Sequence, residues 1–324
     1  MLITGGTGFL GKRLALALRD EYDVVLTGRN NKQNMLAHEF TGCPVLPMDV
    51  ASIESVRDAF SEVRPRTVIH AAATKFVDLA ERQPMECIDV NVVGSQNVAR
   101  VAIEKGVKEV IGISTDKAAP PVRNTYGLSK AIMERLFCAM NGKSATKFAC
   151  ARYGNVAWST GSVLPIWQRM HRATGLIGTT GPDMTRFFFT VDEAVKLIVT
   201  TLRNIDRLQG LVVGRRMKSA LIRDILELWV AHRGGRWERI DGRPGERNEE
   251  FLVGELELAN TTETTFDGVP HYVIAFNRRA ERPLAQPLSS ANAERLSVEE
   301  VLAIIDNPPV EERDAAPMEE RVGV

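Results

Sequence analysis

The sequence predicts a doubly wound α/β fold, in which helices cover both faces of a mostly parallel sheet. Short runs of apolar, β-prone residues alternate with stretches of helical periodicity through the first half of the chain. The runs are continuous rather than alternately apolar and polar, which is typical of strands buried on both faces. A glycine-rich segment joins the first run to the first helical stretch. With 324 residues and 44% hydrophobic content, the chain can bury a sizeable core in one large domain or two ordinary ones.

The alternation can be followed element by element. Strands are predicted at residues 2–4, 24–27, 45–48, 67–71, 109–114 and 147–152. Helical periodicity begins after Gly11, with apolar residues at Leu14, Ala15 and Leu18, and returns at residues 53–63, 90–103 and 126–140. Because parallel neighbours need a crossover, usually a helix, this order of elements predicts a parallel sheet.

The pattern loosens after Arg152. Glycine and threonine crowd residues 159–161 and 175–181, and residues 233–247 lack periodicity, so we expect loops there. Helices are predicted at 191–202 and 221–232, and a last helix at 297–305 because Ser297 and Glu300 have the spacing of a capping box. The segment 307–324 is rich in proline and glutamate, and we expect it to be disordered.

Composition excludes several classes of protein. The chain has 41 basic and 41 acidic residues, so it lacks the excess of positive charge expected of a general nucleic-acid binder. No apolar run approaches the roughly 20 residues that span a bilayer, and the N-terminus does not resemble a signal peptide. The four cysteines and five histidines are scattered, which predicts free thiols, no metal site and a cytoplasmic location.

The glycine-rich segment predicts a dinucleotide site. Gly5, Gly8 and Gly11 lie between a strand and a helix, where they can form a tight turn, admit a pyrophosphate and let the helix pack closely. The helix N-terminus then offers free N–H groups to the phosphates, beside Thr7, Phe9 and Leu10. A plain strand–turn–helix is the alternative, and the surrounding βαβ pattern favours the cofactor.

The end of the second strand favours NADP over NAD. An acidic residue that would bind the ribose 2′-hydroxyl is missing there, and Arg29 and Lys32 could pair with a 2′-phosphate. Both cations could instead be ordinary solvated residues. At the end of the third strand, Asp49 and Val50 could hold the adenine edge, although Asp49 could equally cap the next helix.

Tyr126 and Lys130 are spaced to lie on one face of a helix. A phenol has an unperturbed pKa of about 10, and a neighbouring ammonium, with the positive charge of the nicotinamide nearby, is expected to lower it. The pair could then take a proton from a substrate hydroxyl while hydride leaves the same carbon. This pattern occurs by chance in helices, but here it follows a glycine-rich motif and a strand that ends at Ser114 and Thr115.

Asp116 and Lys117 directly follow that strand, so both are expected to point into the crevice at the carboxyl edge of the sheet. A carboxyl group there could protonate a departing hydroxyl. An amine whose pKa is lowered by its neighbours could remove a carbon-bound proton. The alternative is a capping aspartate beside a solvated lysine.

These motifs together resemble the extended short-chain dehydrogenase/reductases, and the similarity covers most of residues 1–306. The Ser114–Ala118 string resembles a polysaccharide-biosynthesis branch that contains inverting UDP-N-acetylglucosamine 4,6-dehydratases and related 4-epimerases. Four further segments fit this branch: residues 70–77, 152–156, 184–187 and 243–246. The resemblance implies a Rossmann-type domain at residues 1–155, to which a strand and helix of about 186–214 return, and a smaller mixed substrate domain at 156–306.

The resemblance also implies site residues and an activity. Thr115 would orient the substrate beside Asp116, Lys117, Tyr126 and Lys130. Further cofactor contacts would come from Ala71, Ala72, Ala73, Asn91 and Tyr153, and substrate contacts from Lys75, Asn155, Ser162, Val163, Arg186, Arg243 and Glu246. The implied activity is NADP-dependent dehydration of UDP-N-acetylglucosamine with inversion at C5, in a homo-oligomer. A 4-epimerase of the same branch and a catalytically inactive NADP sensor are the alternatives.

Some residues have a simpler interpretation or depart from the branch. His70 and the run 187–189 are expected to be core residues rather than reacting or stacking groups. The loop between Asp116 and Tyr126 is one residue longer than usual. Trp158 stands where a small residue is common, and Thr160 where an arginine is common. A tryptophan facing the substrate would change the space for the sugar.

Overall fold

The protein is built around one large, mostly parallel sheet. The structure, a computed structural model, describes residues 1–242 and 245–310. In order across the sheet, the strands are β14 (Thr261–Phe266), β15 (Val269–Ile274), β10 (Val212–Arg215), β6 (Lys147–Tyr153), β5 (Glu109–Thr115), β4 (Thr67–His70), β1 (Leu2–Thr4), β2 (Val25–Gly28) and β3 (Val45–Pro47). All neighbours from β10 to β3 are parallel, and the β14–β15 hairpin extends the sheet in the antiparallel sense. The predicted doubly wound α/β fold is confirmed.

Helices cover both faces of this sheet. They are α1 (Phe9–Leu18), α2 (Asn31–Thr41), α3 (Ile53–Val63), α4 (Val77–Arg82), α5 (Pro84–Ile88), α6 (Gly94–Glu104), α7 (Thr125–Met140), α9 (Val191–Arg203) and α10 (Ile205–Leu208). A π-helical turn, Asp89–Val93, connects α5 to α6. In α1 the predicted apolar face of Leu14, Ala15 and Leu18 is buried, and it packs the helix onto the sheet. Each predicted strand of the first half is found, with an end that differs by at most one residue.

The second lobe consists of small sheets and three helices. Strands β7 (Asn155–Val156), β9 (Thr185–Phe189) and β11 (Lys218–Leu221) form one sheet, β8 (Leu176–Thr179) pairs with β12 (Arg236–Arg239), and β13 (Phe251–Val253) pairs with β16 (Leu288–Ser289). The helices are α8 (Val163–Thr174), α11 (Ile222–Arg233) and α12 (Val298–Asp306), and the last begins with the predicted capping box of Ser297 and Glu300.

The structure differs from several sequence expectations. Residues 175–181 and 233–247 were expected to be loops, yet β8 and β12 lie within them and form a parallel pair. The glycine and arginine residues in these segments give no strand pattern in the sequence. The strands are stabilised by their pairing with each other. Helix α9 and strand β10 return to the large sheet, but β9 belongs to a small one. The hairpin 261–274, which falls in the range expected for the substrate domain, also lies in the large sheet. The boundary at 155/156 stays a prediction. Of the segment expected to be disordered, 307–324, residues from 311 onward lie outside those described.

Trp158 does not face the substrate side, which corrects the expectation for this position. Its side chain is 2% exposed, its indole N–H donates to the Ile304 carbonyl at 2.6 Å, and its ring packs 6.2 Å from that of Trp229. Its φ of 62° lies in the left-handed region, where glycine is easily accommodated. The indole therefore completes the core of the second lobe.

A buried ionic cluster ties the two lobes together. Arg152 on β6 is fully buried and donates two hydrogen bonds to Glu134 on α7 and two to Glu257, at 2.6–2.8 Å. Glu257 lies in the 3₁₀ turn Glu255–Asn260, which follows β13. Burial lowers the pKa of Arg152, but the two carboxylates outweigh it and hold the pKa well above its ordinary value. The charged cluster thus fixes α7 against the segment that leads out of the second lobe.

Candidate active site

A large cleft lies at the carboxyl ends of the parallel strands, between the two lobes, with a volume of about 800 Å³. The register of β5 and β6 places Thr115 opposite Tyr153, and both line this cleft. In open α/β sheets this edge is where ligands bind. The residues that the sequence singled out therefore converge at the position that the fold favours.

The glycine loop has the shape that a pyrophosphate needs. Gly5 has a φ of 63°, and a Cβ at this position would lie 2.6 Å from the Cα of Ala72. A Cβ at Gly11 would lie 2.5 Å from the Cα of Gly6, so only glycine allows this close packing. Gly8 is the N-cap residue of α1 and has no side chain that could bond to the first N–H groups of the helix. These N–H groups therefore face the cleft. This cradle fits a dinucleotide cofactor.

The predicted residues around this cradle divide into two groups. One group lines the cleft: Gly5, Thr7, Gly8, Phe9, Leu10, Gly11, Arg29, Val50, Ala71, Ala72, Ala73, Tyr126, Lys130 and Tyr153. Lys32, Asp49 and Asn91 are not part of its lining. Lys32 is exposed on α2, and Asp49 accepts a hydrogen bond from the backbone of Ala51 at 3.0 Å, so it forms a local turn. Arg29 is half exposed and pairs with Glu86 at 3.2 Å.

Asn91 lies beneath the cleft rather than in it. Its amide donates to the Thr74 carbonyl and to the Ser129 hydroxyl, both at 2.9 Å, and its oxygen accepts from Thr74 N–H at 2.8 Å. The side chain, which is fully buried, joins the loop after β4 to helix α7. Asn91 thereby positions the helix that carries Tyr126 and Lys130.

The start of α7 is set by its cap and by a close contact. Asn124 accepts a hydrogen bond from Gly127 N–H at 2.7 Å, which satisfies one of the free donors of the first turn. A Cβ at Gly127 would lie 2.3 Å from the carbonyl oxygen of Lys117. Glycine at this position therefore lets Tyr126 approach the 3₁₀ turn Asp116–Ala118.

Burial has a larger effect on the pKa of Tyr126 than the neighbouring cation has. It raises the pKa of the phenol to about 12, while Lys117 and a hydrogen bond with Thr115 lower it. The expectation of a lowered pKa, which includes the positive charge of a bound nicotinamide, stays a prediction. Burial also lowers the pKa of Lys130 to about 8, and its ammonium lies 3.4 Å from the Met133 sulfur.

Lys117 is held between carboxylates. Its ammonium lies 3.1 Å from Asp116 Oδ1, 3.4 Å from Glu250 Oε1 and 3.4 Å from Asn155 Oδ1. Burial lowers the pKa of Lys117, but Asp116 and Glu250 together outweigh it, so the pKa is raised. The sequence-based expectation of a lowered pKa is therefore wrong, because the two carboxylates outweigh both burial and the positive charge of Arg186.

The sequence predicts that Asp116 points into the cleft, but the structure places it elsewhere. The residue is fully buried and does not line the cleft, whereas Lys117 and Thr115 do. Its Oδ1 accepts hydrogen bonds from the Thr115 hydroxyl at 3.0 Å and from Lys117, and its Oδ2 has no partner among the residues described. Asp116 thus reaches the cleft through its two neighbours, because the turn directs its side chain inward, toward Gly154.

The predicted substrate residues line the outer half of the cleft: Lys75, Asn155, Ser162, Val163, Arg186 and Glu246. The guanidinium of Arg186 donates to the carbonyls of Thr185 and Arg247 at 2.8 and 2.7 Å, so it also anchors the segment after residue 245. Glu246 accepts a hydrogen bond from the Thr180 hydroxyl at 2.9 Å. Arg243 lies outside the described residues.

Two core predictions are confirmed. His70 is fully buried between the hydroxyls of Thr4 and Ser95, at 2.8 and 3.0 Å, and burial lowers its pKa to about 3. The side chains of residues 187–189 are at most 6% exposed and pack in the two apolar cores. These groups support the site without entering it.

Glu250 is one of the residues of the cleft lining that sequence reasoning missed. It is 3% exposed, lines the cleft and lies against Lys117. It follows Glu249 in a polar stretch, which is the pattern of a solvated loop, and no local signal connects it with a lysine 133 positions earlier. Within the described ranges, no group of three histidine, cysteine or acidic residues could hold a metal ion.

Comparison with known proteins agrees with this geometry. The family described as polysaccharide biosynthesis protein matches residues 1–268, which is most of the chain. The chain belongs to this family.

Three relatives illustrate the range of activities among similar proteins. A UDP-N-acetylglucosamine 4,6-dehydratase (inverting) of Campylobacter jejuni is 39% identical over 65% of this chain and 64% of that protein. A UDP-glucose 4-epimerase of Rickettsia bellii is 31% identical over 95% of each chain. An uncharacterized membrane protein of Methanocaldococcus jannaschii is 35% identical over 81% of this chain and 83% of that protein.

Among solved structures, Pen from Bacillus thuringiensis superposes with a TM-score of 0.85 at 28% identity, over 95% of this chain and 96% of that one. The similarity therefore includes the second lobe as well as the large sheet. As for the membrane, none of the helices described here has both the length and the apolar character that a spanning segment needs.

Proposed function

We propose that this member of the family is an NADP-dependent dehydratase that removes water across C5 and C6 of UDP-N-acetylglucosamine, with oxidation at C4 and inversion at C5. The observation that carries the proposal is the cluster of Thr115, Asp116 and Lys117 beside Tyr126. An epimerase needs only a group that exchanges a proton with the C4 hydroxyl. A dehydratase also needs a carbon base and an acid for the departing hydroxyl.

The glycine cradle fits NADP, and Arg29 is the residue that would pair with its 2′-phosphate. When bound, the nicotinamide would supply the hydride chemistry, which is oxidation at C4 and reduction at C6, without net change in the cofactor.

Tyr126 accepts the proton of the C4 hydroxyl as the ketone forms. Burial alone disfavours the phenolate, so positive charge close to the ring is required for this step. Lys117 provides one such charge, and Lys130, one helical turn along α7, is the second candidate. The cluster around Tyr126 therefore binds and orients the C4 hydroxyl and then holds its proton.

The pair of Lys117 and Asp116 carries the elimination. Transfer of a proton from the ammonium to Asp116 along their 3.1 Å hydrogen bond leaves a neutral amine and a neutral acid. The amine then removes the C5 proton, which the C4 ketone has made acidic. The proton of Asp116 passes through the Thr115 hydroxyl to the C6 hydroxyl, which departs as water. The C5 proton restores the ammonium of Lys117. Solvent water protonates C5 from the opposite face, which completes the inversion, and Tyr126 releases to solvent the proton that it took from the C4 hydroxyl.

Mass spectrometry of the sugar nucleotide after incubation with the enzyme tests the proposal. Loss of one water is expected. In D₂O, C5 should carry solvent deuterium, whereas C6 should carry the label of a C4-deuterated substrate. Lys117→Ala should abolish loss of water and still allow reduction of bound cofactor, and Lys143→Ala, on an exposed position, is the control.

The 4-epimerase is the second candidate, because the Rickettsia relative of that name aligns over 95% of this chain. It would change the sugar without changing its mass, and the C5–H bond would stay intact. Cofactor binding without conversion of any sugar nucleotide would instead indicate a sensor. Either result would overturn the proposed dehydration.

A further inference from the structure

Glu250 is fixed in place by the second lobe. It immediately precedes β13, and its backbone N–H and carbonyl are both hydrogen-bonded to Ser290, at 3.0 and 2.8 Å. The side chain is 3% exposed, and its Oε2 has no hydrogen-bond partner in the described part of the chain. A buried carboxylate costs free energy unless it interacts with a cation or donors. Its position therefore calls for a functional explanation.

The cation closest to Glu250 belongs to the other lobe. Lys117 Nζ lies 3.4 Å from Glu250 Oε1, and Asp116 holds the same ammonium at 3.1 Å. Arg186 on β9 approaches Glu250 Oε1 to 4.0 Å, and Tyr126 on α7 is the other titratable group close to Lys117. Thus Asp116 contacts the amine of Lys117 from the large domain, and Glu250 contacts it from the second lobe.

We propose that Glu250 is a positioning residue for Lys117. From the second lobe, Glu250 holds the ammonium of Lys117 at the cleft wall and sets its protonation together with Asp116. As a consequence, the acid–base site is complete only when the segment around residues 245–250 lies against the large domain. The kinetic consequence rests on the proposed function, because it requires Lys117 to act as the carbon base.

The charge state of Lys117 tests the proposal without any turnover. The full chain is labelled with trace acetic anhydride at several pH values, and the acetylation of Lys117 is measured by mass spectrometry relative to exposed Lys143. Glu250→Gln keeps the shape but removes the charge, so the pKa of Lys117 should fall by about one unit. At a fixed pH below that pKa, Lys117 should then react about tenfold faster.

Two variants separate charge from structure. Glu250→Asp keeps the carboxylate and should return the labelling rate toward that of the wild type. Glu249→Gln makes the same chemical change at the adjacent position and should leave the rate unchanged. Equal labelling of Lys117 in the wild type and Glu250→Gln, or equal acceleration in Glu249→Gln, would overturn the proposal.

The pH profile gives the second measurement. Because the elimination requires the singly protonated pair of Lys117 and Asp116, the basic limb of kcat/KM, where that pair loses its proton, should move to lower pH in Glu250→Gln, with KM little changed. Loss of activity without a change in the labelling of Lys117 would reduce Glu250 to a structural role. Absence of water loss in the wild type would contradict the proposed function and leave the labelling result standing.

Discussion

At the scale of single residues, opposing effects meet at Tyr126: burial raises the pKa of its phenol, and Lys117 and Thr115 lower it. Tyr126→Phe removes the hydroxyl that, in the proposed mechanism, exchanges a proton with the substrate. We expect turnover to fall by at least about 100-fold with little change in substrate affinity. Steady-state kinetics of dehydration measure this. Tyr22→Phe, at a residue that does not line the cleft, is the control, and near-normal turnover of Tyr126→Phe would assign the proton transfer elsewhere.

Arg29 and Lys32 were both expected near the 2′-phosphate, but only Arg29 lines the cleft. The two residues therefore allow a matched comparison. Arg29→Asp replaces a possible partner of the 2′-phosphate with a like charge. Affinity for NADP should fall by about tenfold or more, and affinity for NAD should improve relative to it. Lys32→Ala should change neither. Titration with each dinucleotide measures the effect, and a wild-type protein that retains only NAD would contradict the choice of cofactor.

At the scale of secondary-structure elements, the Arg152 cluster holds α7 to the segment that follows β13. Glu257→Ala leaves the fully buried guanidinium with Glu134 as its remaining carboxylate. The free energy of unfolding should fall by about 3–5 kcal/mol, which is the usual effect of breaking a buried ion pair. Urea denaturation measures it.

The matched control lies two positions earlier on the same 3₁₀ turn. Glu255 is exposed, so Glu255→Ala should change the free energy of unfolding by at most about 0.5 kcal/mol. If both variants unfold at the same urea concentration, the buried cluster does not hold these elements together.

At the scale of the whole molecule, His70 couples folding to pH. Burial lowers its pKa to about 3 in the folded protein, whereas an unfolded chain has a pKa near 6.5. The unfolded state therefore binds more protons below pH 6.5, and stability is lost as the pH falls through this range. The slope from His70 should approach about 1.4 kcal/mol per pH unit.

The measurement is urea denaturation between pH 6.5 and 5, above the range where most carboxylates titrate. His70→Gln should flatten the slope, even though it weakens the hydrogen bonds to Thr4 and Ser95. His38→Gln, on the exposed side of α2, should leave the slope as in the wild type. An unchanged slope in His70→Gln would place the pH dependence in other groups.

The sequence by itself determined the parallel core, and it predicted the groups that we propose to react. Continuous apolar runs, glycine spacing and the position of Tyr126 and Lys130 are local patterns, and local patterns encode strands, helices and a phosphate cradle directly. The capping box of α12 and the buried face of α1 follow from the same rule.

Only the tertiary structure decided what surrounds those groups. It brought Glu250 to Lys117, directed Trp158 into the core of the second lobe and placed Asp116 behind Thr115. It also built β8 and β12 from segments that the sequence predicts as loops. The physical reason is that pKa values, burial and strand pairing depend on neighbours far away in the chain, and a single sequence carries no local signal for those contacts.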